Sequence, residues 1–194
     1  MRGRRRFARR GFATNVGGGL PRDGQGTGEE VRAGYWRRAN TGRPAVLFPL
    51  ARYGSRTSDR TGVTSWFTFG SPGGLQRLHD LAGCRCADPT VPTSSGGQNQ
   101  ELVPAPTGGV AFSPAGAFGI ALDASGERMF SDDGLNGDSR GHDFRFWPAR
   151  DRDGSIIPDT WIVGNDLGVS AASLPAKNGD YQAFMWVLSN ATPA

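Results

Sequence analysis

Cysteine, histidine and lysine are almost missing from this chain, and it has no long run of apolar residues. Its 194 residues hold two cysteines, two histidines and, among 22 basic side chains, a single lysine, Lys177. Cys84 and Cys86 stand as Cys-Arg-Cys. Two thiols are too few for a structural zinc site, which takes four ligands, and a bridge between them would close a strained ring. They read as free thiols in a loop, with a strained or redox-active pair as the alternative. His79 reads as a surface residue and His142, beside Asp143 at a strand start, as a structural one. No phosphate-binding glycine-rich loop precedes a helix, so the 30 glycines are not a nucleotide signature. No stretch is long and apolar enough to span a membrane as a helix. Arg9-Arg10-Gly11-Phe12 leads into Asn15-Val16-Gly17-Gly18-Gly19 and not into a hydrophobic region, so no signal peptide is expected in the chain as it stands.

Glycine and proline are abundant instead, at 30 and 13 residues. Few segments show a helical period, and this composition favours an all-β fold with long loops. Charge is split along the chain. Residues 1–40 hold ten arginines against Asp23, Glu29 and Glu30, a net of +7; with +4 for the whole, residues 41–194 carry −3. The expected organisation is a disordered Arg/Gly-rich arm over residues 1–40 and one β-domain over 41–194. The arm offers nucleic acid a charge and little stacking surface, since Phe7 and Phe12 are its only aromatics before Tyr35 and Trp36.

The strand pattern is clearest in the last third. Asp143–Trp147 alternates Phe144 and Phe146 with Arg145 and Trp147, a period of two. Asp151-Arg152-Asp153-Gly154 supplies a hairpin turn with glycine at the positive-φ position. Ile156–Val163 returns, with Pro158 at an edge or bulge. Tyr181–Ser189 is the final strand, with Phe184, Trp186 and Leu188 on one face, and reads as central. Upstream, Ala45–Leu50 reads as the first strand, Val63–Phe69 as another, and the polar Tyr53–Thr61 as the hairpin loop between them. Gly74–Ala82 spaces Leu75, Leu78 and Leu81 three apart, which predicts one or two helical turns. Residues 87–108 form a loop or linker, followed by two short strands at Val110–Pro114 and Ala117–Asp123.

Oxygen-rich side chains gather where these strands begin and end. Between Asp123 and Asp180 there are ten Asp and one Glu against six basic residues. Calcium takes six to eight oxygens from carboxylates, amides and carbonyls. Asn165 and Asp166, with Asn178, Asp180 and Gln182, supply five such side chains if their strands pair. The same residues also suit turns. Counted from Asp151, position twelve is Ile162, so an EF-hand fails for want of its glutamate. Trp147, Trp161 and Tyr181 flank the acidic loops and are the candidate sugar-binding aromatics, although strand aromatics also build cores.

One ordered series of motifs resembles a known group. Phe112-Ser-Pro-Ala-Gly-Ala-Phe-Gly119, Ser131-Asp-Asp-Gly-Leu-Asn136, His142-Asp-Phe-Arg-Phe-Trp-Pro148, Asp151-Arg-Asp-Gly-Ser-Ile-Ile-Pro-Asp-Thr-Trp161 and Gly179-Asp-Tyr-Gln182 look like the C-terminal β-sandwich module of large secreted bacterial proteins. That module often follows malectin-like or kelch repeats. It is also similar to extracellular domains that end in an Asp-Tyr-Asn-Asp-type motif thought to bind calcium. The resemblance spans about residues 44–190 and implies an extracellular or cell-surface location, with Asp166 and Asp180 as calcium ligands supported by Asn165, Asn178 and Gln182. Gln182 stands where the group carries Asn or Asp, and Ala183 replaces a polar residue; both changes weaken the ligand set.

The expectation is therefore an all-β, antiparallel β-sandwich with long loops and a disordered basic arm, acting without catalysis as a calcium-stabilised, carbohydrate-binding or structural module. A polysaccharide hydrolase or lyase using loop carboxylates is the alternative. Nucleic-acid binding through the arm is the third reading.

Overall fold

The computed structural model describes residues 30–53, 64–70, 74–81, 99–100, 108–124, 127–136, 143–166, 181 and 184–194. Within them the chain is built of strands, with a single 3₁₀ turn at Asp133–Leu135. Among the described residues no helix is long and apolar enough to cross a membrane. Two antiparallel sheets account for the strands.

The first sheet contains β1 (Trp36–Arg38), β3 (Thr64–Gly70), β4 (Leu75–Leu81), β7 (Phe118–Ala124), β8 (Glu127–Phe130) and β12 (Ala191–Pro193). Its order is β12-β1-β7-β3-β4, and β8 pairs with β7. The second contains β2 (Ala45–Tyr53), β5 (Asn99–Gln100), β6 (Val110–Phe112), β9 (Phe144–Arg150), β10 (Ile156–Asn165) and β11 (Phe184–Ser189). Its order is β5-β2-β11-β10-β9, and β6 pairs with β2.

The inner faces of both sheets feed one apolar core. Trp36, Phe118, Ile120, Leu122, Met129 and Ala191 come from the first sheet, and Leu47, Phe112, Phe146, Val163, Trp186 and Leu188 from the second. Aromatic rings cross between the sheets, with Trp36 4.6 Å from Phe146 and Phe112 5.1 Å from Phe118 between centroids. Tilted and edge-on contacts of this kind suit the ring quadrupoles. Two antiparallel sheets sharing a core in this way form the expected sandwich.

The second sheet is buried on its other face as well. The period of two sends Phe144 and Phe146 to the main core, while Trp147 and Ala149 join Ile162, Tyr181 and Met185 in a second apolar cluster. Strands covered on both sides cannot show the simple apolar-in, polar-out alternation of a half-exposed strand. Arg145 lies on the same strand and is fully buried.

The 143–165 hairpin forms as expected. Asp151 N–H donates to Ser155 O at 3.0 Å, Gly154 N–H to Asp151 O at 3.2 Å, and Gly154 has φ +86°. The Asp153 carboxyl is held down at about 2 by its contacts with Asp151 and then Ser155. Pro158 lies where the β9–β10 register shifts, between Ile156 and Trp161, next to Asp159 at φ 52°. Proline has no N–H to give a ladder, so the bulge suits it. β11 is central, between β2 and β10.

Four expectations need correction. The 74–82 segment is not helical: its described part is β4, paired antiparallel with β3. Trp66 opposes His79 while Phe67 opposes Arg77, so Leu78 is an extra residue in a bulge. That insertion turns leucines in a strand into a three-residue spacing that reads as helix, and Leu78 still packs against the core. Ala45 does not open the first strand, because Trp36–Arg38 precedes it. β2 and β3 do not form a hairpin either, since they lie in different sheets. The arm boundary at residue 40 moves too: Trp36 is wholly buried and Val31 bridges to Phe146, so residues 30–40 belong to the fold. Residues 1–29, Cys84, Cys86 and His142 lie outside the described residues.

Two sheet-crossing links are held by one side chain. Asn190, at φ 56°, joins β11 to β12. Its Nδ2 contacts Asn40 O, Arg43 O and Pro44 O at 2.9–3.1 Å, and its Oδ1 accepts from Asn40 N–H at 2.7 Å. Asparagine tolerates the left-handed backbone here, and its amide gathers the carbonyls of the β1–β2 link. Asn190→Ala should lower stability by ~2 kcal/mol in urea unfolding, from lost hydrogen bonds and left-handed strain. Asn190→Gly, which removes only the bonds, should lose less. A parent-like Asn190→Ala protein would contradict this account.

Candidate functional site

Polar chemistry in the described fold concentrates where β9 starts and β10 ends. Gly164 opposes Arg145 and Asn165 opposes Phe144 across this pair. A Cβ on Gly164 would come within 2.5 Å of Tyr181 O and 2.8 Å of Trp147 Cζ3. Glycine therefore leaves the hollow that Tyr181 fills, a close approach that no other residue type permits without movement.

Arg145 sits at the floor of that hollow. A buried guanidinium without compensation would cost several kcal/mol. Its Nη1 donates to Glu30 Oε2 at 3.1 Å, and both side chains are withdrawn from water, at 1% and 7% exposed. Glu30 Oε1 also accepts from Arg32 Nε at 3.2 Å. The Arg145 guanidinium carbon lies 4.4 Å from the Tyr181 ring centroid, a cation–π contact strengthened by burial. Val31 N–H donates to Phe146 O at 2.8 Å, which brings Glu30 to the right place along the strand.

Asp143 and Asp166 are buried beside this group. Asp166 N–H donates to Asp143 O at 3.1 Å, and Asn165 Nδ2 donates to the same carbonyl at 3.0 Å. Asn165 Nδ2 also lies 3.7 Å from Met129 Sδ, while its Oδ1 is buried without a hydrogen-bond partner among the described residues. Burial pushes the Tyr181 hydroxyl up to about 12; Asp166 and Glu30 add to the rise, and Arg145 opposes it.

The expected calcium residues are only partly visible in this arrangement. Asn165 and Asp166 lie at the strand end as anticipated, but Asn165 turns its amide inward as a donor. Asn178, Asp180 and Gln182 lie outside the described residues. Among the described residues, no group of three or more His, Cys, Asp or Glu could hold a metal ion. Calcium and carbohydrate binding are not shown by the fold. The positive charge found at this strand end belongs to Arg145.

The expected aromatic rim is interior. Trp147 and Tyr181 are buried, in T-shaped contact at 6.4 Å. Trp161 is half-buried, packs 5.0 Å from Trp36 and donates from Nε1 to Ala191 O at 2.8 Å. Trp147 and Tyr181 present no open face to a sugar, while Trp161 keeps part of its surface exposed. Asp143 and Asp166 are both closed off from solvent.

Sequence reasoning missed Arg145 and Glu30. Arg145 entered the sequence reading only as a residue alternating with Phe144 and Phe146. Glu30 stands among arginines in a segment with no period, and nothing local marks it. No family model, curated protein or solved structure matches the chain.

Tyr181 provides a direct readout of this site. Its folded-state value of about 12 exceeds the ordinary 10, so the fold holds the phenolic proton more tightly than the unfolded chain does. The stability it contributes is complete below pH 10 and is lost as pH rises through 12. Tyr181→Phe should therefore flatten the fall in stability between pH 10 and 12 in urea unfolding. Absorbance at the phenolate band should show one tyrosine titrating late in the parent only. A parent in which all tyrosines titrate near 10 would contradict the buried placement.

Proposed function

We propose that this chain acts without catalysis, as a β-sandwich module with a structural or binding role outside the cell. One observation supports this reading most. The ionisable side chains that gather at the strand ends, Glu30, Asp143, Arg145 and Asp166, are buried among one another and not arrayed along an open cleft. Catalytic carboxylates must reach a substrate, whereas these stabilise a terminus and a strand pair. The resemblance of residues 44–190 to the end module of secreted bacterial proteins supports the extracellular part of the reading.

A calcium-stabilised form of the same module is the second reading. It is favoured by the buried Asn165 Oδ1, an acceptor without a donor among the described residues, next to Asp166. Such oxygens cost free energy unless something satisfies them.

Thermal unfolding of the full chain in calcium and in chelator separates the two. A purely structural module should melt at the same midpoint in both. A rise of about 3 °C or more in calcium would establish linkage between metal binding and folding and favour the second reading. Incubation with a panel of polysaccharides should release no new reducing or unsaturated ends. Release that survives purification to homogeneity would overturn the non-enzymatic reading.

A further inference from the structure

Asn190-Ala191-Thr192 is the single Asn-x-Ser/Thr triplet in the chain, the pattern that accepts N-linked glycans. The reacting atom of such a triplet is the asparagine Nδ2. It attacks the anomeric carbon of an oligosaccharide carried on a polyprenyl diphosphate. The bond from that carbon to the diphosphate oxygen breaks, the diphosphate leaves with the electron pair, and one amide proton passes to a base. An asparagine amide has two N–H donors, so the glycosylated product keeps one.

In the folded chain this atom is enclosed by main chain. Asn190 Nδ2 lies 3.0 Å from Asn40 O, 2.9 Å from Arg43 O and 3.1 Å from Pro44 O. Asn190 Oδ1 accepts from Asn40 N–H at 2.7 Å, which fixes the plane of the amide. A sugar carbon bonded to Nδ2 would need the space that those carbonyls hold, and the one remaining N–H could not serve all three. A glycan is bulky and belongs at the surface. It cannot share this position with the β1–β2 link.

The rest of the triplet is closed by separate contacts. Ala191 is wholly buried, and its carbonyl accepts from Trp161 Nε1 at 2.8 Å. Ala191, Thr192 and Pro193 pair with Arg38, Arg37 and Trp36 along β1. Thr192 is exposed, yet an enzyme that grips the triplet must first lift β12 from β1 and pull the Asn190 amide from its three acceptors. We propose that Asn190 is an N-glycan acceptor that the native fold closes, open to a glycosyl transferase only while β12 is undocked. The order of events then decides the product. Folding first gives an unmodified sandwich, and modification first removes the side chain that fastens both sheet-crossing links.

The test offers three acceptors to a purified oligosaccharyl transferase with its polyprenyl diphosphate oligosaccharide: the folded full chain, full-length Trp36→Ala, and a peptide of residues 186–194. Trp36→Ala removes the wholly buried ring that stands opposite Pro193, a loss large enough to release β12. The peptide and the Trp36→Ala chain should each gain the mass of one glycan at Asn190. The folded chain should gain it ~100-fold or more slowly, because reaction through an opened state scales with how rarely that state forms. Thr192→Ala should abolish the gain in the full chain and the peptide alike. If circular dichroism shows that Trp36→Ala keeps its fold, it should resist modification as the parent does. A folded chain modified as fast as the peptide would overturn the proposal. So would a peptide that is never modified, since the triplet would then not be an acceptor at all.

Discussion

The burial of one arginine sets the terms for the rest of the structure. Arg145 is on a strand whose two faces are both covered, and its guanidinium has no access to water. A cation in that position must be met by opposite charge and hydrogen-bond acceptors, or the fold loses several kcal/mol. Glu30 meets it from 115 residues away in sequence. The need to bring that carboxylate in fixes the N-terminal segment against β9. It also accounts for residues 30–40 belonging to the fold. Gly164, opposite Arg145, leaves room for Tyr181 to close over the cation. Three distant parts of the chain are thereby tied to a single side chain.

The apolar core and this polar cluster depend on each other. Trp36 can fill the centre of the sandwich because the residues before it run along β9, and its ring meets both Phe146 and Trp161. Phe146 faces the core while its carbonyl holds Val31. Backbone pairing, ion pairing and core packing therefore converge on three consecutive positions, Phe144, Arg145 and Phe146. At the opposite end of β11, Asn190 does similar work with hydrogen bonds alone, gathering the β1–β2 link where both connections change sheets.

Much of the fold could be read from the sequence wherever a local rule governed it. The 143–165 hairpin follows from a period of two and an Asp-Gly turn, and Pro158 marked its bulge correctly. The central place of β11 followed from its apolar face. Long-range physics hid the rest. Leu75, Leu78 and Leu81 gave a helical spacing because a bulge adds one residue to β4, and only pairing with β3 reveals that. The assignment of β2 and β3 to different sheets has no local signature. Asn165 and Asp166 do lie at a strand end, and the buried cation beside them that no local pattern marked is Arg145. The burial of Arg145 was not legible because alternation does not distinguish an exposed face from a second buried one. Trp147 and Tyr181 were misplaced on a rim for the same reason.

The most direct test of this account is a double-mutant cycle on the ion pair. Glu30→Gln, Arg145→Met and the double variant would be compared with the parent by urea unfolding at neutral pH. A buried, hydrogen-bonded pair predicts a coupling of about 2 kcal/mol or more, with the double variant more stable than the Glu30 and Arg145 changes would sum to. Additive losses, with coupling near zero, would contradict the claim that Glu30 is anchored by Arg145 and that this contact fixes the N-terminal segment to the sheet.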